Sequence, residues 1–218
     1  ANYNFETPIK WKGQFILRRQ HNLTDDHFQM IAEAGGDEFY VGFETGSDRI
    51  RKQMGKNYTN EDIDYQLEQF SINRLKVTPL MFTGYITETL EDHQETLKMF
   101  KRWQRYVADG TISGIELGSN LIVLPGAPME KMIESHGIEF AFSNDGEPIR
   151  NLWQAAANPD LNIRERIRRK IEVHEEAMKY NWPLWRHAAR LTDLKMFIIK
   201  NNLHQEIPKF FPIPVVSD

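Results

Sequence analysis

The sequence predicts an α/β fold: a partial TIM-like (β/α) barrel of about four parallel βα units, followed by C-terminal helices. Four apolar runs, at Gln14 to Arg19, Phe39 to Glu44, Lys76 to Gly84 and Ile112 to Val123, alternate with segments of helical period. That alternation is the signature of a parallel sheet with crossover helices. The run Phe39-Tyr40-Val41-Gly42-Phe43 is apolar on both faces, as a strand covered on both sides must be. The four units fill only roughly the first two thirds of the chain, whereas a closed barrel takes about 250 residues. Four strands left open would carry bare edges, so part of a barrel is expected.

In chain order, Thr24 with Asp25 and Asp26 opens a first helix, a hydroxyl for the free amides and two acids for the positive dipole end. Gly35-Gly36 stops it. Thr59 with Asp62, and Thr89 with Asp92, repeat a capping-box pattern ahead of the stripes Ile63, Leu67, Phe70 and Leu97, Phe100, Trp103. Leu124-Pro125-Gly126-Ala127-Pro128 leads into a short helix over Met129 to Ser135. From Gly137 the pattern changes, and the expected division is 1–136 for the barrel portion and 137–218 for a mainly helical extension. Glu139 to Gly146 reads as a strand or hairpin, and Asn158-Pro159-Asp160 as a break. Asn162 and Glu165 cap a long helix whose Arg164, Arg166, Arg168, Arg169 and Lys170 face Glu172, Glu175 and Glu176 in sequence, which reads as a solvated, charge-laced helix. Leu184 to Ile199 is expected to form another helix, and Ile207 to Pro214 an extended apolar tail.

With 40% hydrophobic residues the chain can bury a sizeable core. It carries no run of about 20 apolar residues, so no membrane partner is expected. A net charge of −4 argues against a broad nucleic-acid surface. There is no cysteine, which removes disulfides, thiol nucleophiles and thiolate-held metals from the chain's own chemistry, and makes a cytoplasmic setting the expectation. The seven histidines are scattered without metal-ligand spacing, so no metal or catalytic residue is assigned.

The functional candidates lie where strands end. Phe39 to Phe43 runs into Glu44-Thr45-Gly46-Ser47-Asp48, releasing a carboxylate and two hydroxyls at the rim where α/β proteins bind ligands. The plainer roles stand beside this: Glu44 capping the next helix or pairing with Arg18, Thr45 and Ser47 bonding their own turn, and Glu88 capping the helix after it.

Gly42-Phe43-Glu44-Thr45-Gly46-Ser47-Asp48-Arg49 followed by Met54-Gly55-Lys56-Asn57-Tyr58-Thr59 resembles a G-x-E-S-G-S segment of radical SAM enzymes, especially those associated with cobalamin. Phe82-Thr83-Gly84-Tyr85-Ile86-Thr87-Glu88-Thr89-Leu90-Glu91-Asp92 is similar to that family's next strand end, and Leu124-Pro125-Gly126-Ala127-Pro128-Met129 to a later L-P-G segment. The resemblance spans about Trp11 to Met132. It implies S-adenosylmethionine as cofactor, beside a [4Fe-4S] cluster that cleaves it reductively to a 5′-deoxyadenosyl radical in intact members. Carried over by position, Arg18, Glu44, Thr45, Ser47, Gly84, Glu88, Leu124 and Pro125 form the cofactor face. Glu44 and Ser47 would face the ribose and methionyl end, Gly84 would admit the adenine, Glu88 would brace the turn, and Leu124-Pro125 would form an apolar wall. Thr45 replaces the family's serine, and Ile86 stands where a proline is usual.

The family's three-cysteine loop has no counterpart, and without thiolates the cluster cannot form on this chain. The expected identity is therefore a fragment or truncated member, inactive alone, whose partner is a missing N-terminal barrel half or a second copy of the chain. Its substrate is an unidentified small molecule or peptide. The alternatives are a non-catalytic assembly protein on a decayed scaffold, and an ordinary βα enzyme with a phosphate or sugar ligand. The inner sheet face, expected to be Phe39 or Tyr40 with Val41, Leu80 and Phe82, requires cover from the C-terminal helices or a dimer.

Overall fold

A computed structural model describes residues 9–142 and 146–184. The first strand, β1 (Trp11–Phe15), starts three residues earlier than its apolar run, and Ile16 beyond it is exposed. Helix α1 (Asp25–Glu33) begins at Thr24, whose backbone N–H donates to His27 Nδ1 at 3.2 Å. It ends at Gly35, where φ is +85°. Strand β2 (Gly36–Glu44) runs into α2 (Asp48–Gln53), a short helix absent from the sequence expectation because six residues carry too little periodicity to read. Helix α3 (Asn60–Ile72), β3 (Lys76–Thr83) and α4 (Leu90–Arg102) follow, the two helices capped by the predicted Thr59–Asp62 and Thr89–Asp92 boxes. A separate turn of helix, α5 (Gln104–Ala108), precedes β4 (Glu116–Asn120). Then come α6 (Met132–His136), β5 (Ile138–Phe142), β6 (Pro148–Ala155) and α7 (Ile163–Lys179).

The first four strands form one sheet in the order β1-β2-β3-β4. β1, β2 and β3 pair in parallel, with Gln14 beside Tyr40 and Tyr40 beside Thr78. Val77 makes a parallel bridge to Ile112 ahead of β4. The partial βα barrel is thus confirmed, helices linking parallel neighbours. Contacts divide the described residues into two units, one of 9–83, 88–118 and 172–184, the other of 84–87, 119–142 and 146–171.

In the first unit the helix-facing side of the sheet supplies the core. Phe39, Val41 and Phe43 alternate along β2 and pack with Leu67, Phe70, Phe100 and Trp103. Phe70 is the hub, with ring centroids 5.0 Å from Phe15, 5.2 Å from Phe28 and 6.0 Å from Phe39. Val41 therefore faces the helices, correcting its expected place on the inner face, which the period of two assigns to Tyr40, Leu80 and Phe82. Near the start of the strands that inner face is polar. Buried Glu38 accepts from Ser113 Oγ at 2.6 Å and Thr78 Oγ1 at 3.3 Å and pairs with Lys12. Burial alone would raise the Glu38 carboxyl, but these donors hold it below its usual range. The end of α7 adds Val173 and Ala177, and Trp182 lies buried against Phe100 with its Nε1 donating to the Phe100 carbonyl at 3.0 Å.

In the second unit β5 and β6 pair antiparallel, the expected hairpin, over a small core of Ile86, Val123, Ile138, Trp153 and Ala155. The basic helix is not solvated as expected. Arg166, Arg169 and Lys170 are buried, and Glu165 pairs with Arg168 and Arg169. Sequence polarity misleads here because a long cation can be buried when its head finds acceptors. Leu184 makes a parallel bridge to Ile115, so it is extended rather than helical. The remainder of that expected helix and the apolar tail lie outside the described residues. Among the described residues no helix is long and apolar enough to cross a membrane.

Because Phe70 joins three strand and helix rings, Phe70→Ala should cost about 3–5 kcal/mol in urea unfolding. Ile72→Ala, at an exposed position two residues on, should change stability by no more than about 0.5 kcal/mol.

Candidate functional site

The site is built around the turn leaving β2. Glu44 has φ of 65°, and the Thr45 N–H donates back to the Phe43 carbonyl at 2.8 Å, closing a tight three-residue turn. A non-glycine residue in this region stores about 1–3 kcal/mol of strain and persists only where surroundings hold it. The turn folds the Glu44 carboxylate back over the strand, so that a Cβ at position 42 would sit 2.6 Å from Glu44 Oε1 and displace the carboxylate from this position. Lys56 Nζ meets the same oxygen at 2.9 Å. The Tyr58 hydroxyl donates to the Gly42 carbonyl at 2.6 Å, and burial, reinforced by the Glu44 charge against the opposing Arg51, pushes the phenol upward so that it stays a donor.

The loop after Glu44 is pinned from two sides. Thr45 Oγ1 and Thr96 Oγ1 lie 2.9 Å apart, Gly46 N–H donates to Thr96 Oγ1 at 3.1 Å, and a Cβ on Gly46 would strike the α4 backbone. Ser47 Oγ accepts from Ile50 N–H at 3.2 Å, capping α2, and donates to Asp92 Oδ1 at 2.6 Å. Arg49 Nε donates to the same oxygen at 3.1 Å, and Arg49 Nη2 also pairs with Asp92 Oδ2. Burial would raise the Asp92 carboxyl, but Arg49, Ser47 and Thr89 overcome it and hold it down to about 2. On the other side buried Arg51 donates to the Thr45 carbonyl, to Asp48 and, at 2.6 Å, to Asn60 Oδ1. Burial lowers its pKa, with Asp48 counteracting; a guanidinium remains charged even so.

Thr45 and Ser47 are therefore buried, their hydroxyls engaged with Thr96 and Asp92. The Glu44 side chain retains 19% exposure. Glu88 is buried one residue before the α4 cap, where its charge adds to that of Asp92 in raising the Arg49 pKa. Arg18 is exposed; its backbone exchanges hydrogen bonds with the Gln66 amide, and Glu44 pairs with Lys56 instead of with it. In the second unit Gly84 has φ of 76°, and Arg166 Nη1 donates to its carbonyl. A Cβ there would lie 2.8 Å from that nitrogen. Arg166 Nη2 reaches the Leu121 carbonyl at 3.3 Å, and its guanidinium covers the Trp153 ring at 3.5 Å. Leu124 and Pro125 are exposed in the turn that follows.

Sequence reasoning missed Lys56, Tyr58, Arg51 and Arg166 as organisers of these turns. Lys56 and Tyr58 lie inside the family-like segment and are legible there, whereas Arg51 and Arg166 give no signal because sequence does not show which strand-end carbonyls a guanidinium will reach. No cluster of three or more potential metal-ligating side chains occurs among the described residues, and the chain has no cysteine. The residues present do not fit an iron–sulfur cluster.

A parallel βα sheet that ends in a carboxylate turn at its C-terminal rim defines the class: a segment of a βα barrel. The family comparison is specific: residues 15–100 match the Radical SAM superfamily. Two curated relatives are tRNA-2-methylthio-N(6)-dimethylallyladenosine synthases. That of Phocaeicola vulgatus is 30% identical over 95 residues, covering 40% of this chain and 20% of its own length. That of Desulfitobacterium hafniense is 27% identical over 96 residues, covering 42% and 22%. The chain thus spans about a fifth of the length of these relatives. Two solved structures share the fold. A cobalamin-dependent S-adenosylmethionine radical enzyme, OxsB with aqua-cobalamin bound, gives a TM-score of 0.53 at 16% identity over 70% of this chain and 27% of that one. The archaeal Methanocaldococcus infernus Elp3 gives 0.51 at 12%, over 82% and 35%.

The Asp92 geometry sets an acid limit. A carboxyl whose folded pKa is depressed stabilises above its unfolded value, near 3.8, and loses that contribution as pH falls through about 2. Asp92→Asn should be less stable than wild type by about 1–2 kcal/mol at neutral pH, and the gap should close between about pH 4 and 2. Denaturant titrations across that range measure it.

Proposed function

We propose that this chain is the S-adenosylmethionine-binding portion of a radical SAM scaffold. The observation that carries the reading is Glu44, held in a strained turn at the C-terminal end of β2 inside the segment that matches the family. Strain at a strand end, maintained by Gly42, Lys56 and the Thr45–Ser47 anchors, is what a pre-organised ligand contact requires. In this reading Glu44 and Arg18 contact the cofactor directly. Thr45 and Ser47 fix the turn from behind, Gly84 and Glu88 shape the next strand end, and Leu124 and Pro125 offer apolar surface. The chain's own residues bind and orient the cofactor. They supply no ligands for the cluster, so the reductive step belongs to a polypeptide segment that carries cysteines, and this chain alone is inactive. The partner is accordingly the rest of the barrel, and the setting cytoplasmic. A second copy covering the inner face is the alternative partner, and sedimentation velocity separates the two.

One observation favours a second reading, a non-catalytic assembly scaffold: Arg166 occupies the space beside Gly84 that a cofactor would approach. The two readings part on binding. S-adenosylmethionine should raise the thermal midpoint of the chain, as any ligand of the native state does. Glu44→Gln should weaken that binding by about tenfold, about 1.4 kcal/mol. Glu44→Gly should abolish binding while leaving stability unchanged or higher, because glycine relieves the positive φ. A chain unresponsive to millimolar cofactor would leave the scaffold reading standing.

A further inference from the structure

An open cleft of about 530 Å³ lies beside the end of β1, bounded by the segment after α2. Its size is in the range of roughly 300–1,000 Å³ that holds small-molecule ligands. Arg18, Arg19 and Lys56 line it together with Asn57, Tyr58 and Ile16, and none of its lining residues carries a carboxylate. That is contrary to the composition of a chain with 31 acidic against 27 basic residues. Arg19 Nε is spent on the Asn57 carbonyl at 3.0 Å and Lys56 on Glu44 at 2.9 Å. The Arg18 guanidinium makes no hydrogen bond or ion pair among the described residues. Three cations line the cleft and no carboxylate does, and of the three Lys56 is paired with Glu44. Ile16, 71% exposed, adds an apolar surface at the mouth.

We infer that this cleft is a binding site for a phosphate monoester on a small molecule. Two arginines without a carboxylate partner line one cleft, which suits a dianionic group that both can reach at once. The two guanidinium groups present planar donor forks suited to phosphate oxygens, and Asn57 and Asn22 can serve hydroxyls on the ligand body. The inference goes beyond the cofactor reading. The two share Arg18 and Lys56, while Arg19 belongs to the cleft alone.

The test titrates the full 218-residue chain with ribose 5-phosphate, with ribose, and with a 5′-hydroxyl oligoribonucleotide, alongside S-adenosylmethionine. Ribose 5-phosphate should bind, ribose should not, and affinity should fall as salt rises. Arg18→Ala and Arg19→Ala should each weaken it about tenfold, Arg19→Lys less, with S-adenosylmethionine binding unchanged in both Arg19 variants. Lys52→Ala, an exposed cation outside the cleft, should have no effect. Thermal midpoints of the variants check that they fold, and the charge-conserving Arg19→Lys serves if Arg19→Ala does not. The proposal is overturned if ribose 5-phosphate fails to bind, if its binding ignores both arginines, or if the oligoribonucleotide binds more tightly than the monoester. Cofactor binding without sugar-phosphate binding overturns this inference alone; sugar-phosphate binding without cofactor overturns only the cofactor reading.

Discussion

The Asp92 carboxylate is the tie on which the rim of the first unit depends. It accepts from Ser47 and Arg49, which belong to the loop and helix after β2, and from the Thr89 backbone at 2.8 Å, which starts α4. One side chain thereby caps its own helix and fixes the exit of β2, four elements earlier. Its burial would be costly if any of these donors were missing, since a buried charge must be paired and hydrogen-bonded. The same donors that offset burial determine where the loop lies.

That anchorage explains how a strained residue persists at Glu44. The turn is over-determined by Gly42, which leaves room for the returning carboxylate, by Gly46, which lets the loop touch α4, and by Arg51, which ties the Thr45 carbonyl to Asp48 and Asn60. Each contact removes an alternative conformation rather than adding contact with a ligand. The result is a carboxylate presented in one place at a rim, the arrangement that the binding reading uses.

Electrostatics in the chain run against its composition. An acidic protein places cations inside: Arg51, buried in the first unit, donates to the Thr45 carbonyl, Asp48 and Asn60, and Arg166, buried in the second, to the Gly84 and Leu121 carbonyls. A guanidinium suits this work because it presents several donors at fixed angles and delocalises its charge. Within the second unit Arg166 fastens Gly84 to Leu121 and stacks on Trp153, so a helix far along the chain closes the turn after β3.

Local chemistry determined much of this protein. The capping boxes at Thr59 and Thr89, the glycine stop at Gly35 and the βα alternation are short-range signals, and all appear in the structure. Motif spacing located Glu44 at a strand end for the same reason. What only the tertiary structure decided was which polar groups remain available. Ser47 and Asp92 are 45 residues apart, and Thr45 and Thr96 are 51 apart; no periodicity encodes such pairings, so hydroxyls legible as ligand contacts are engaged internally. The choice of Lys56 over Arg18 as the partner of Glu44 depends on the positive φ that aims the carboxylate. The burial of Arg166 depends on the Gly84 and Leu121 carbonyls, which the fold alone brings to it. A sequence displays its charges; only packing decides which of them water still reaches.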